Sequence, residues 1–330
     1  MRQHALGRSR VTVSELAFGA AGIGNLFNPI PDAQAEQAVH AAWETGIRYF
    51  DTAPHYGLGL SERRLGAALR GLPRSEFAIS SKVGRLLRPL YPVHGDDLAN
   101  GFAVPATHYR QWDFSAEGVR RSIASSLERL GLDRIDIVYL HDPEDHADQA
   151  LNEAYPALER LRAEGAVGAI GIGMNQSAMP ARVVRDTDID VVLLAGRYSL
   201  LDQSGLADLL PAAADRGVSV VVGGVFNSGL LADPRPGAMF EYAAAPAHLV
   251  ARAQHLKQVC DHHRVPLRAV ALQLPLGHPA VTSVLVGAQS ADQIRDNAAM
   301  AARPVPAALW ADLRGLGLLD PRVPVPGEVG

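Results

Sequence analysis

Asp51, Tyr56, Lys82 and His141 are the residues of this 330-residue chain whose types and spacing support chemistry. A free phenol ionises near pKa ~10 and is a poor base at neutral pH. An ammonium within a few ångströms favours the phenolate and lowers that value by ~1–3 units. Lys82 beside Tyr56, with Asp51 holding the lysine charged and oriented, would therefore form a proton relay. His141, as a neutral hydrogen-bond partner, would fix an oxygen atom beside the tyrosine. Such a relay serves a carbonyl or alcohol oxygen whose carbon exchanges a hydride. The chain carries no metal or flavin signature of its own, so a nicotinamide cofactor is the economical hydride partner.

These groups need a scaffold that brings them together. Asp51, Lys82 and His141 each stand at or just past the end of a short apolar segment, within 47–51, 77–82 and 136–141, and Tyr56 follows Asp51 by five residues. On parallel strands all four would meet at the carboxyl rim of a sheet, where barrel enzymes carry their active sites. Eight strands are expected, over 16–20, 47–51, 77–82, 136–140, 169–174, 190–195, 218–223 and 283–287, after an opening hairpin at roughly 4–13. Helical patterns lie between them. Asp32 is placed to cap a helix ending at Thr45, Ser115 one ending near Gly131, and Asp148 begins one ending at Gly165; 205–217, 246–264 and 290–301 read the same way. Most of the strands are nearly continuous apolar runs, as when both sheet faces are covered. The alternation predicts a single domain over 1–330, a (β/α)8 TIM barrel with an N-terminal β-hairpin. Segments 83–114 and 224–245 follow strands and are too long for ordinary connections, as is the tail from 303; the first two should overhang the rim as binding loops. Asn25, Phe27, Tyr91, Trp112 and Arg197 lie on rim segments and are candidate substrate contacts.

Composition narrows the rest. Apolar residues make up 48% and charged residues 20% of the chain. Its apolar runs are far short of the ~20 residues that cross a bilayer, and residues 1–7 hold no apolar leader. Cys260 is the only cysteine, which excludes an internal disulfide and fits a reducing cytoplasm. A net charge of −4 and a pI near 6.3 give no electrostatic reason to expect nucleic acid. The run His141, Asp142, Glu144, Asp145, His146 has metal-ligand chemistry, but successive strand side chains point oppositely and Pro143 turns the chain, so one ion collects only some of them and no metal site is expected. Glycines 19, 22 and 24, and 171 and 173, do not complete G-x-G-x-x-G; the position that would finish the second set is Gln176.

The four residues, with the strings GIRYFDTAPHYGLGLSE (46–62) and DIVYLHDP (136–143), resemble the aldo-keto reductase superfamily over essentially the whole chain. AGRYSLLDQ (195–203), GGVFNSGLL (223–231) and ALQLPLGHPAV (271–281) look most like its aldose 1-dehydrogenase branch, which includes L-fucose (D-threo-aldose) and pyridoxal 4-dehydrogenases. The resemblance implies a barrel using NADP or NAD, with Tyr56 as acid/base, Lys82 and Asp51 tuning it, and His141 orienting substrate. It assigns Asn175 to the nicotinamide carboxamide and the backbone of 223–230, including Ser228 and Leu230, to the pyrophosphate. Two positions depart from the family pattern. The glutamine expected three residues before Tyr198 is Ala195, and the stacking aromatic falls at Gly223, leaving Phe226 as its possible substitute. At the adenosine end the lysine and arginine that grip a 2′-phosphate correspond to Gly287 and Gln293, while Asp296 and Asn297 remain for adenine. Losing two cations weakens charge-assisted phosphate binding, so NAD should serve at least as well as NADP. The activity implied is oxidation of an aldose C1 hydroxyl to the lactone. Pyridoxal oxidation, broad aldehyde reduction and a non-catalytic cofactor-binding subunit stay open as alternatives, as does the oligomeric state.

Overall fold

The computed structural model describes residues 1–241 and 243–328. Eight strands form a closed parallel barrel: β1 Leu16–Gly19, β2 Tyr49–Asp51, β3 Ala78–Val83, β4 Ile137–His141, β5 Ala169–Met174, β6 Val191–Ala195, β7 Ser219–Gly223 and β8 Val281–Gly287. Each pairs in parallel with the next in sequence, and β8 closes on β1 through Val284 beside Leu16. The strands are short and β-branched, and helices cover them outside while side chains fill them inside. Period-2 alternation sorts the residues. Phe18, Phe50, Ile79, Val138 and Ile170 pack outward into one continuous core with the helices. Ala17, Tyr49, Ala78, Ile137, Tyr139, Ala169, Val191 and Val221 fill the barrel interior.

The opening hairpin pairs Gln3–Ala5 with Thr12–Ser14. Leu6 and Val13 join the interior cluster, so the hairpin closes the end of the barrel away from the strands' carboxyl termini. The 83–114 excursion is two hairpins rather than an irregular loop: Arg85–Pro89 pairs with His108–Trp112, and Asp96–Asp97 with Phe102–Pro105. The tail folds as a helix, Ala307–Gly315, burying Leu309, Trp310 and Leu313. No helix among the described residues is long and apolar enough to cross a membrane.

Two helix starts differ from expectation. Asp32 is the first helical residue behind Pro31 and makes no side-chain cap; it accepts instead from Arg64 Nε at 2.7 Å. The helix expected from Asp148 runs from Ala147 through a π turn at Ala150–Ala154 before Tyr155–Ala163. Pro156 explains the turn, since it has no N–H to give and its ring crowds the carbonyl four residues back. Ser115 does cap its helix, accepting from the Gly118 N–H at 2.9 Å.

Candidate active site

Asp51, Lys82 and His141 are the last inward-facing residues of β2, β3 and β4, each two positions above a barrel-filling residue: Tyr49, Ser80 and Tyr139. Tyr56 arrives from the turn between β2 and the helix Leu60–Leu69. Gly57 makes that turn possible: its φ is +59°, and a Cβ there would lie 2.2 Å from the Gly24 carbonyl oxygen. Lys82 Nζ donates to Asp51 Oδ2 at 2.7 Å, to the Thr52 carbonyl at 3.0 Å and to Tyr56 Oη at 3.1 Å. Ser80 Oγ donates to Asp51 Oδ1 at 2.6 Å. Lys82 and Asp51 are 3% and 1% exposed, so the pair is held in a dry site where its geometry is fixed.

The electrostatics depart in one respect from the sequence reading. The Tyr56 phenol is pushed up to about 12, because burial outweighs the lowering by the Lys82 ammonium. The lysine moderates the rise; it does not bring the phenol below its ordinary value. Lys82 itself is raised: burial opposes its charge, but Asp51 and Tyr56 together prevail. His141 is held well below the ordinary imidazole range by burial and by Arg85 and Lys82, so it is neutral. His55 is lowered to about 2 by burial, Arg85 and Arg110. Arg110 Nε donates to His55 Nδ1 at 2.5 Å; a guanidinium has only donors, so the ring's proton sits on Nε2. Arg110 is in turn clamped by both oxygens of Asp97, at 2.8 and 2.5 Å.

These groups line a cleft of about 660 Å³ at the barrel mouth. Tyr56, Lys82, His141, His55, Arg85 and Asp142 face it, and Leu26, Phe27, Phe102, Met174 and Leu193 supply apolar walls. Asn175 and Ala195 close its β5–β6 side. Next to them Gly223 leaves low ground: a Cβ there would only graze Ala195 and Leu193 at 3.9 Å. Gly173, Ala195 and Gly223 thus make a flat, apolar floor that a planar ring can lie against. Phe226 is half-buried against the outer core. Residues 227, 228 and 229 have φ of 47°, 57° and 99°, and the N–H groups of Asn227, Gly229 and Leu230 donate to carbonyls within the same loop. Leu230 is fully buried and its N–H is bonded to the Asn227 carbonyl at 3.2 Å, so its side chain offers nothing at the surface. Gly287 ends β8 with open space beside it. Gln293 accepts from the Gln289 N–H at 2.7 Å, Asp296 is ion-paired with Arg268, and Asn297 is buried.

Of the rim residues, Phe27 reaches the cleft. Asn25 does not: its carboxamide accepts from Arg64 at 2.7 Å and from the Ile30 N–H, bracing the loop after β1. Tyr91 sits at the tip of the first hairpin, 83% exposed. Trp112 lies behind the cleft wall, with the Arg85 guanidinium 4.5 Å over its ring. Arg197 supports Asn175 from outside, donating to its carbonyl at 2.7 Å, and pairs with Asp202 and Glu241.

The model of the Aldo/keto reductase family matches residues 15–317. The chain belongs to that family. As an aldo/keto reductase it is an oxidoreductase that uses a nicotinamide cofactor. It is 49% identical to a D-threo-aldose 1-dehydrogenase of Pseudomonas sp., covering 94% of this chain and 95% of that protein. It is 42% identical to a pyridoxal 4-dehydrogenase of Microbacterium luteolum, covering 96% and 98%. Among solved structures, an aldo-keto reductase from Bacillus halodurans in its holo form superimposes with a TM-score of 0.77 at 29% identity, covering 96% of each chain.

Sequence reasoning assigned no role to Arg85, His55 or Arg110 in this aldo/keto reductase and weighed Asp142 only as a metal ligand. Arg85 reaches the mouth from the turn after β3, and Arg110 reaches His55 because the 83–114 hairpins fold back. A cation three residues beyond Lys82 was the one visible signal.

Proposed function

We propose that this enzyme oxidises the C1 hydroxyl of a cyclic aldose of the L-fucose (D-threo) type to its lactone, with NAD serving at least as well as NADP. The reading is carried by Lys82 Nζ, which bridges the Asp51 carboxylate and the Tyr56 hydroxyl at 2.7 and 3.1 Å on the wall of the cleft. The similarity to the Pseudomonas D-threo-aldose 1-dehydrogenase supports the substrate class.

In this assignment Tyr56 Oη and neutral His141 hold the C1 oxygen between them. Tyr56, as phenolate, takes the hydroxyl proton as the C–H bond opens, and Lys82 stabilises the anion beforehand. Asp51 keeps the ammonium aimed at Tyr56 rather than at water. A nicotinamide ring bound beside them would supply the acceptor for the hydride on C1. Asn175 is assigned to its carboxamide, the floor of Gly173, Ala195 and Gly223 to its face, and the backbone of 223–230 to the pyrophosphate. Toward the adenosine, Gly287 and Gln293 offer no cation, and the neighbouring Arg268 is already neutralised by Asp296. That composition favours a ribose hydroxyl over a phosphate dianion.

Pyridoxal as its internal hemiacetal presents the same local geometry, and the 42% relative makes it the second reading. A panel of L-fucose, D-arabinose, L-galactose, L-xylose and pyridoxal, followed at the NADH absorbance band, separates them. Faster turnover of an aldose is expected. If pyridoxal exceeds every sugar in kcat/KM, the aldose assignment is wrong.

A further inference from the structure

The catalytic group accounts for one oxygen of a substrate that carries several. Beside it is an ion pair outside the Asp51–Lys82–Tyr56 hydrogen-bond chain, whose arginine also helps to hold His141 neutral. Gly84 follows β3 with φ +114°, and a Cβ there would lie 2.3 Å from the Phe114 ring, so the chain turns sharply and sets Arg85 at the cleft. Asp142 follows His141 directly with φ +42°, and its N–H donates to the Gly173 carbonyl at 3.0 Å. Arg85 Nη2 donates to Asp142 Oδ2 at 2.5 Å, and His141 Nε2 lies 3.5 Å from that same oxygen.

Both residues line the cleft, and the carboxylate keeps unused capacity there. Asp142 Oδ1 takes no hydrogen bond among the described residues, and this side chain is 31% exposed. The guanidinium is also immobilised, by the carboxylate and by the Trp112 face 4.5 Å away, so little order is lost when a ligand meets it. A hydroxyl is the group that can donate to a carboxylate and accept from a guanidinium at once.

Resting on the aldose reading above, we propose that Arg85 and Asp142 read the hydroxyl vicinal to the reacting carbon, selecting cyclic polyols that carry it. The adjacency of His141 and Asp142 sets the position. His141 Nε2 and the Asp142 carboxylate are 3.5 Å apart, a spacing that two adjacent ring hydroxyls, about one hydrogen-bond length apart, can match. The Arg85–Asp142 pair is therefore a specificity-determining element, separate from the relay that moves the proton.

Binding to the NAD-loaded enzyme in a Tyr56→Phe background tests this without turnover. Kd is measured by calorimetry for L-fucose and for 2-deoxy-L-fucose. A hydroxyl bonded to charged partners is expected to give the parent sugar roughly 10- to 100-fold tighter binding. Asp142→Asn, which suits the left-handed backbone, and Arg85→Lys should each cut that ratio roughly tenfold. Because a ratio of dissociation constants does not depend on the active fraction, partial loss of folded protein leaves the readout intact. If either variant weakens both sugars alike and leaves the ratio unchanged, or if the unsubstituted pair shows no preference, the assignment is overturned while the aldose reading stands. If wild-type enzyme turns over no aldose, the underlying reading fails and this one with it.

Discussion

Replacing Lys82 with Met should cripple oxidation by raising the Tyr56 phenol further. The ammonium lies 3.1 Å from Tyr56 Oη. At an effective dielectric of ~20 a full charge at that distance is worth about 5 kcal/mol to a phenolate. At ~1.4 kcal/mol per unit this is a ceiling of about four units, and water in the cleft reduces it to ~1–3. The phenol already stands at about 12 with the lysine present, so the reactive phenolate is a minor species throughout the accessible pH range. Wild-type kcat/KM for aldose oxidation should therefore climb with pH up to at least pH ~10, about tenfold per unit. The Lys82→Met curve should run parallel, roughly 10- to 1000-fold lower. Aldehyde reduction draws on the protonated phenol, which is abundant, and should stay nearly flat with pH. The single variant leaves Asp51 as an unpaired buried charge at a cost of about 3–5 kcal/mol. The double variant Asp51→Asn/Lys82→Met removes both charges and should recover much of the melting temperature without recovering activity. Steady-state kinetics between pH 6 and roughly pH 10, with calorimetric melts of all three proteins, measure this. An oxidation rate that levels off below pH ~8, or a Lys82→Met enzyme within about threefold of wild type, would refute the charge-tuned phenol.

Other consequences follow from the same geometry. Tyr56→Phe removes the one hydroxyl among the described residues that Lys82 shares with the cleft, so turnover should fall by at least roughly 10³-fold, while NADH affinity by fluorescence titration stays near wild type; loss of both would point to a structural role instead. With no unpaired cation at Gly287 or Gln293, kcat/KM with NAD should equal or exceed that with NADP, and a large NADP preference would contradict the adenosine-end assignment. Arg110→Leu strands the buried Asp97 carboxylate and frees His55, so a loss of about 3–5 kcal/mol is expected in chemical denaturation, together with weaker substrate binding; an unchanged midpoint would show that the hairpin tie is dispensable.

The barrel was legible because its physics is local. Continuous apolar runs mark strands covered on two faces, and all eight have observed limits within two residues of those expected from such runs; β5 matches at both ends. Asp51, Lys82 and His141 were legible for the same reason, since a charged or imidazole group ending an apolar strand has few structural explanations. The hairpins at 85–89 with 108–112 were not, because their strands mix charged and aromatic residues on a surface where alternation reports little burial. With them went Arg85 and Arg110. The level of the Tyr56 phenol was misjudged for a different reason. A neighbouring charge is visible in a sequence pattern, whereas the depth of burial that outweighs it depends on Phe102 and the loops closing around the ring.

Three phenols share this barrel, and their surroundings explain why one of them is suited to be the base. Tyr49 and Tyr139 lie directly below the relay, joined at 2.9 Å, with Tyr49 donating to Ser80 at 3.1 Å and Ser80 donating to Asp51 at 2.6 Å. Burial drives both phenols above their ordinary value, and Asp51 raises them further. They remain protonated and can pass hydrogen bonds upward to the carboxylate, which fixes Asp51 as an acceptor. Tyr56 is also desolvated, but among the three it is the phenol whose hydroxyl meets an ammonium. The stacked pairs Tyr49–Asp51, Ser80–Lys82 and Tyr139–His141 follow from strand periodicity alone: the lower member of each fills the barrel and the upper one faces the cleft. Moving Lys82 by one residue along β3 would turn its amine out of the barrel, leaving Tyr56 no easier to ionise than the two phenols beneath it.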